Sequence, residues 1–192
     1  MAERKGADAF IGKAEVASGS RMDRTQIRRI SAAIVTVIFL VVVPGSVAVL
    51  VPRLMLGTQL PPVSRISSIG CLGLPLVIGG AIILLDSFAR FVVQGLGTPA
   101  PVFPTRHLVV SGLYRYVRNP IYVAVLSVVL GQAILFGSPA ILVYGLSLWI
   151  AFTLFMLVYE EPTLRRTFGK EYETFCANVP RWIPRLTPWP GS

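Results

Sequence analysis

The chain has 192 residues, of which 54% are hydrophobic and only 14% charged, and its mean hydropathy is +0.68. These values exclude an ordinary soluble domain of this size and predict an integral membrane protein. The net charge of +9 on its own would be compatible with a nucleic-acid partner, but the basic residues are distributed as in the loops of a membrane protein. No nucleic-acid partner is therefore expected, and the bilayer is the expected surrounding.

Four apolar runs approach the length of about 20 residues that an α-helix needs to cross a bilayer. They are 30–51, 66–88, 120–136 and 139–159. The third is short. We expect an all-α integral membrane protein with about four to five transmembrane helices, of which the apolar runs themselves account for four. The first run is too long for the apolar part of a secretory signal and lacks a clear cleavage site, so we expect an uncleaved anchor.

All but two of the 18 basic residues lie in segments that would share one side of the membrane. The exceptions are Arg53 and Arg65, in the loop between the first two runs. Cytoplasmic loops carry the excess of Lys and Arg, so both termini are predicted to be cytoplasmic, in an inner or plasma membrane. We expect a polar basic segment over 1–29, N-terminal transmembrane helices over 30–93, and a C-terminal core over 94–192.

A proline begins each of the last two apolar runs. Asn119-Pro120 and Ser138-Pro139 are each typical of an N-cap followed by the first helical residue. Only a tight turn separates the two runs, so they are predicted to form an antiparallel helical hairpin.

The hairpin would bring Arg118 and Asn119 close to Glu160 and Glu161, and Pro162 would force a break or bend directly after the two acids. Beyond it, apolar residues recur at helical spacing and predict an amphipathic helix that lies on the membrane surface or folds back over the hairpin. They are Leu164, Phe168, Tyr172, Phe175 and Val179.

The loop that precedes the third run is unusually polar. Residues 106–122 hold the one histidine, three arginines and three tyrosines directly before an apolar helix. One histidine and two distant cysteines, Cys71 and Cys176, predict neither a metal site nor a disulfide. Asp86 is expected to pair with Arg90 one helical turn later.

The start of the third helix and the two acids after the fourth suit the polar groups of one kind of ligand. The N-terminus of the third helix suits an anionic group such as a carboxylate. Two carboxylates at the end of the fourth suit an amine, a ribose diol or a sulfonium. S-adenosylmethionine carries all of these groups, so the polar loop and the two acids are compatible with it.

The motifs resemble those of the isoprenylcysteine carboxyl methyltransferase family and its phospholipid methyltransferase relatives. The resemblance covers about the C-terminal half of the chain, and the joint order of the motifs is specific. They are Ser111-Gly112-Leu113-Tyr114, Arg118-Asn119-Pro120-Ile121-Tyr122, Glu160-Glu161-Pro162-Thr163-Leu164, Phe168-Gly169, Glu171-Tyr172 and Val179-Pro180.

The resemblance implies methyl transfer from S-adenosylmethionine to a hydrophobic or amphipathic acceptor, without a metal, by a core over 94–192. Arg118, Asn119, Glu160 and Glu161 would be the catalytic residues. The cofactor-binding residues that the resemblance implies are Gln94, Arg106, His107, Leu108, Val109, Tyr114, Asn119, Pro120, Tyr122 and Glu160.

The chain departs from the family pattern at two places. Asn119 stands where many members have histidine. Asparagine keeps a hydrogen-bond donor and acceptor at this position but has no ionisable group. Residues 154–157 are apolar where prenylcysteine enzymes carry basic residues for the substrate carboxylate. An anionic acceptor would need another counter-charge, such as Arg115 or Arg118, and a phospholipid, small thiol or small amine fits the sequence equally well.

Each polar residue also has a purely structural interpretation. His107 could be an interfacial polar residue, Arg115 and Arg118 positive-inside anchors, and the tyrosines an aromatic belt. Acids at a membrane boundary are costly, so Glu160 and Glu161 favour a functional role. The alternative to an enzyme is a non-catalytic membrane scaffold or binding protein. A transporter is disfavoured because the midplane of the spans lacks acids and bases.

Overall fold

The computed structural model describes residues 24–57, 68–94, 108 and 110–191, with backbone alone at 24–33, 36 and 91–94. No strand occurs in these ranges. The α-helices are α1 Arg24–Gly45, α2 Val51–Met55, α3 Gly73–Gln94, α4 Pro120–Phe136, α5 Pro139–Phe155, α6 Glu161–Phe168 and α7 Lys170–Asn178. Two π-helical turns, Ser46–Leu50 and Met156–Glu160, join α1 to α2 and α5 to α6, and 3-10 turns cover Gly70–Leu72 and Gly112–Arg115.

Three helical stretches are long and apolar enough to cross a membrane, judged by length and composition within the described ranges. They are Val37–Met55, Gly70–Arg90 and Pro139–Phe168. The fourth predicted span corresponds to α4, an apolar helix of 17 residues that falls short of this length. Large apolar side chains cover the outer faces of these helices, as expected where lipid is the solvent; Ile82 is 62% exposed and Val158 is 75% exposed.

Each of the two π turns ends shortly before a proline. Each is followed by one residue and then a proline, Pro52 in α2 and Pro162 in α6. At both turns the residue before the proline donates its N–H five positions back, from Val51 to Ser46 and from Glu161 to Met156. The backbone therefore stays right-handed helical through Pro162. The break or bend predicted directly after the two acids is absent, and the irregularity is instead a π turn that ends at Glu160.

Side chains from other helices donate to two carbonyls that lose their regular helical donors, one to the π turn and one to Pro52. In a regular helix the carbonyls of Val47 and Ala48 would accept from the N–H groups of residues 51 and 52. Here Tyr144 Oη donates to Val47 O at 3.0 Å, and Gln132 Nε2 donates to Ala48 O at 2.6 Å. The first π turn is thus held against both α4 and α5.

Glycine allows α3 and α4 to touch backbone to backbone. A Cβ at Gly73 would lie 2.2 Å from the carbonyl oxygen of Gly131, and one at Gly80 would lie 2.7 Å from that of Ala124. Small residues at such contacts are the usual means by which membrane helices approach closely. The principal core lies beside this contact, where the first π turn, α4 and α5 meet; its buried members are Ala48, Val125, Val128, Val129, Ala133 and Ile141.

The starts of α4 and α5 differ from each other. Ser138 caps α5 as predicted, since its hydroxyl accepts from the Ile141 N–H at 3.4 Å. Asn119 occupies the predicted cap position of α4, but its side chain makes no capping hydrogen bond. Gly137 takes the left-handed conformation between the two helices, which pack against each other.

The predicted amphipathic helix is two helices. The chain turns at Gly169, with φ of +52°, so Leu164 and Phe168 belong to α6 while Tyr172 and Phe175 belong to α7. Val179 lies past the end of α7 in extended backbone. The apolar face packs inward against Leu108, Val110 and Trp189, so this segment folds back over the polar loop.

Adjacent glycines in α3 provide a test of the backbone contact. Gly80→Ala should lower the stability by about 1–3 kcal/mol because its methyl group meets the Ala124 carbonyl, whereas a methyl group at Gly79 would have nothing within 4 Å. Thermal unfolding in detergent would measure the stability of the Gly80→Ala and Gly79→Ala variants. Gly79→Ala should be neutral or stabilising, since alanine favours the helix. Equal melting temperatures for the two variants would contradict the close contact.

Candidate functional site

The C-terminal tail holds the polar loop in place through backbone hydrogen bonds. Arg118 N–H donates to Pro180 O, Arg185 N–H to Tyr116 O, and Trp189 N–H to Arg115 O, each at 2.9 Å. The loop thereby gains three long-range bonds that resemble strand pairing without forming a sheet. The start of α4, the end of α5 and the tail meet at one place as a result.

Glu161 is the centre of the ionic contacts in that place. It is 5% exposed, and its Oε1 lies 2.7 Å from Arg181 Nη2 and 3.3 Å from Arg118 Nη1. Arg165 Nη2 lies 3.9 Å from Oε2 and is half exposed, so it contributes little. Glu161 therefore joins three parts of the chain: α6, the loop before α4 and the tail.

Arg118 is held on more than one side. Its Nη1 also lies 3.2 Å from Cys176 Sγ on α7, while its Nε is buried without a hydrogen-bond partner in the described part of the chain. Glu161 is the carboxylate that pairs with Arg118, and it pairs with Arg181 at the same time. This geometry makes Arg118 a link between helices.

Glu160 has a different environment from its neighbour. Its Oε2 accepts a hydrogen bond from Tyr122 Oη at 2.8 Å, and the Tyr122 ring stacks on Phe152 with centroids 4.7 Å apart. Among the described residues, no lysine or arginine lies within ion-pair distance of Glu160. The two adjacent carboxylates thus differ: Glu161 pairs with two arginines, whereas Glu160 has no positive partner in the part of the chain that the structure describes.

Tyr114 forms another wall of the Glu160 site. Burial, and then the negative charge of Glu160, raise the pKa of the Tyr114 phenol well above its usual value. The phenol therefore stays protonated and can act as a hydrogen-bond donor. Among the described residues, two tyrosines and one carboxylate thus form a polar cluster in which the carboxylate carries the charge.

Gly112 determines how the turn that carries Tyr114 sits on α3. Its φ is +57°, and a Cβ there would lie 2.2 Å from Cζ of Arg90. Arg90 is fixed by the predicted pair with Asp86, through Nε to Oδ2 at 2.8 Å and Nη2 to Oδ1 at 3.0 Å. Only glycine satisfies both the backbone conformation and the close approach of the guanidinium.

The structure brings together most, but not all, of the residues that the sequence singled out. Tyr114, Tyr122, Glu160, Arg118 and Glu161 lie together, with Asn119 and buried Pro120 at the start of α4. Leu108 packs beneath α7 beside Trp189. Arg106, His107 and Val109 lie outside the described residues, as does the side chain of Gln94, whose backbone ends α3.

Sequence reasoning missed three participants. Arg181 is the strongest partner of Glu161, Cys176 touches Arg118, and Phe152 stacks on Tyr122. Phe152 lies two helical turns before Glu160, a spacing that could have identified it. Arg181 and Cys176 come from the tail, and no local pattern predicts where a tail folds back.

The arrangement suits recognition of a polar molecule that carries positive charge. Within the described ranges, no three His, Cys, Asp or Glu side chains gather as metal ligands would. The fold and the site define a helical membrane protein that presents a half-buried carboxylate, flanked by tyrosines, at one end of its apolar helices.

The chain belongs to the phospholipid methyltransferase family, whose model matches residues 68–171, more than half of the sequence. The match begins just before α3 and ends at the start of α7, so it includes the contacts of Glu160 with Tyr122 and Tyr114 and that of Arg118 with Glu161. This agrees with the resemblance that the sequence motifs indicated.

Individual relatives match over a shorter stretch. Protein-S-isoprenylcysteine O-methyltransferase of Schizosaccharomyces pombe is 38% identical over 80 residues, which cover 41% of this chain and 34% of that protein. Proteins of Oryza sativa subspecies indica and japonica, both named probable protein-S-isoprenylcysteine O-methyltransferase, are 33% identical over 78 residues, or 40% of each chain. The alignments thus span between a third and two fifths of these relatives. No solved structure gives a significant match.

The same Glu→Gln substitution is expected to change the stability of the protein at Glu161 but not at Glu160. Glu161→Gln leaves the partly buried guanidinium groups of Arg118 and Arg181 without their counter-charge and should lower the stability by about 3 kcal/mol. Glu160→Gln keeps an oxygen that can accept from Tyr122 and should unfold near the wild-type temperature. Thermal unfolding in detergent distinguishes the two. A larger loss for Glu160→Gln would refute the assignment of Glu161 as the structural carboxylate.

Proposed function

We propose that this protein is a membrane-embedded methyltransferase that uses S-adenosylmethionine and acts on a hydrophobic or amphipathic acceptor. The observation that carries the proposal is Glu160, a carboxylate bonded to Tyr122 and lacking a positive partner in the described residues. Membership of the phospholipid methyltransferase family supports the same reaction class.

The Glu160 site fits the cofactor by charge. S-adenosylmethionine carries a sulfonium, an amine and a ribose diol, each of which a carboxylate can bind, and it supplies an activated methyl group when bound. Tyr114 and Tyr122 would complete the polar wall, with Asn119 and Pro120 beside them. The remaining contacts would come from the approach segment, namely Gln94, Arg106, His107, Leu108 and Val109.

The residues of the chain act mainly by orientation. Holding a nucleophile and a methyl group at attack distance and angle supplies a large part of a rate enhancement, so no covalent intermediate is required. Glu160 would bind the cofactor, and Tyr114 and Tyr122 would donate hydrogen bonds to it. Asn119 has no ionisable group, so it can position a ligand but cannot accept a proton.

Arg118 and Glu161 are assigned a positioning role. Their ion pair joins the start of α4 to α6, and Arg181 adds the tail. Because Tyr122 and Glu160 lie one turn or less from these anchors, the ion cluster would set the distance across the cofactor site.

The acceptor would reach the site from the bilayer. Leu154, Phe155 and Leu157 are 56%, 42% and 47% exposed, so the turn before the two acids presents apolar groups to its surroundings. This surface favours an acceptor with a lipid chain, such as a phospholipid or an isoprenylated carboxylate, over a freely soluble amine or thiol.

The proposed topology has four spans, with α4 as the short one and α4 and α5 as the hairpin. The N-terminal helices over 30–93 would anchor the core over 94–192, after a basic segment over 1–29. Both termini and the site would face the cytoplasm, in an inner or plasma membrane, because the basic residues concentrate on that side.

The alternative is a scaffold that keeps the family fold and binds no cofactor; family membership and the Glu160 site favour the enzyme. Calorimetric titration of purified protein with S-adenosylmethionine and with its demethylated product separates the two. Saturable binding is expected for the wild type and is lost in Glu160→Gln. Glu173→Gln, which removes an exposed acid on α7, is the matched control and should bind normally.

Loss of binding must be separated from loss of folding, so the thermal unfolding of each variant is measured alongside. Binding that survives in a folded Glu160→Gln would remove the central support for the proposal. With binding established, transfer of a labelled methyl group into a membrane-lipid extract identifies the acceptor class. Absence of binding by folded wild-type protein would leave the scaffold as the function.

Single-cysteine variants test the proposed orientation of the chain in the membrane. In a background without Cys71 and Cys176, Lys170→Cys on α7 should react with a membrane-impermeant maleimide only from the cytoplasmic side. Arg53→Cys, exposed near the end of α2, should react only from the opposite side. Labelling of both positions from one side would exclude the proposed topology.

A further inference from the structure

A groove separate from the Glu160 site opens on the other face of the Gly112–Arg115 turn. It has a volume of about 490 Å³ and lies between the end of α3, this turn and the C-terminal tail at Pro188. Gly112 and Leu113 line it, whereas Tyr114 of the same turn is close enough to Glu160 for the carboxylate to raise its pKa. The turn is therefore a partition between two sites.

One part of the groove is apolar and continues onto the outside of the helical bundle. Ile82 and Ile83 of α3 form this wall together with Leu113. Ile82 is 62% exposed, and Ile78, one turn earlier on α3, is 51% exposed. An acyl chain could lie along this face of α3 and enter the groove without leaving an apolar surface.

The other part of the groove is charged. Asp86 and Arg90 neutralise each other through two hydrogen bonds. Arg115 adds a guanidinium whose Nε donates to Trp189 O at 2.6 Å, which holds the side chain in a fixed position. In the described part of the chain no carboxylate lies within ion-pair distance of Arg115, so the groove carries net positive charge.

The groove also lies at the depth of lipid headgroups. The apolar stretch Gly70–Arg90 ends at the residue that lines the groove, so the charged part coincides with the end of a candidate span. Anionic lipids concentrate at the cytoplasmic surface of membranes and attract basic groups close to it.

We propose that this groove binds an anionic phospholipid, with the phosphate on Arg115, beside Tyr116 in the lining of the groove, and one acyl chain along Ile82 and Ile83. The charge of the groove is opposite to that of the Glu160 site, so the bound lipid is distinct from the cofactor and is not positioned for methyl transfer. The lipid would fasten the turn that carries Tyr114 to the membrane surface. This inference does not depend on the proposed methyl transfer.

Native mass spectrometry of the detergent-purified chain, with equal amounts of phosphatidylglycerol and phosphatidylcholine added, tests the proposal. Wild-type protein should retain phosphatidylglycerol preferentially. Arg115→Gln should weaken that retention about tenfold, the loss expected for one charged hydrogen bond. Arg166→Gln removes an exposed arginine on α6 that forms no ion pair among the described residues, and it should behave as wild type.

A second variant guards against misfolding of Arg115→Gln, whose side chain also holds the tail. Ile82→Trp fills the apolar wall from an exposed position without changing charge and should also reduce retention of phosphatidylglycerol. Equal retention of the two lipids by wild type would overturn the proposal. So would an equal loss in Arg115→Gln and Arg166→Gln, or unchanged retention in Ile82→Trp.

Discussion

The Glu161 carboxylate is the interaction on which the rest of the site depends. It is buried, and it binds guanidinium groups from the loop before α4 and from the tail. Burying a charge is unfavourable unless it is paired, so each partner must be in place for the others to be stable. The polar loop, the start of α4 and the tail are consequently positioned together. Glu160, the preceding residue, is thereby presented to Tyr122 and Tyr114 without taking part in the cluster.

Two backbone constraints place the helices that this cluster joins. Gly73, Gly80 and Gly131 let α3 and α4 touch, which brings Arg90 of α3 against Gly112 of the polar loop. The π turn before Pro52 frees carbonyls that accept from Gln132 and Tyr144, so the first helix is attached to α4 and α5 by hydrogen bonds. In a bilayer, where water cannot satisfy a free carbonyl, such donors are required.

The separation of charge across one short turn relates the structure to its proposed function. On one side, Glu160 and two tyrosines form a site with excess negative charge, which matches a cationic cofactor. On the other side, Arg115 and an apolar wall form a groove with excess positive charge, which matches a lipid of the membrane surface. Gly112 permits this thin partition because a side chain there would collide with Arg90.

The sequence by itself determined the membrane class, the bounds of α4, the cap at Ser138, the Asp86–Arg90 pair and the approach of Arg118 to the two acids. These follow from hydropathy, proline position and helical spacing, which are local properties. Only the tertiary structure decided that Pro162 is accommodated by a π turn, that Gly169 divides the last helix, and that Arg181 and Cys176 fold back onto the site. It also decided which of two adjacent glutamates is neutralised. Burial and pairing depend on contacts between residues far apart in the chain, and such contacts leave no local pattern.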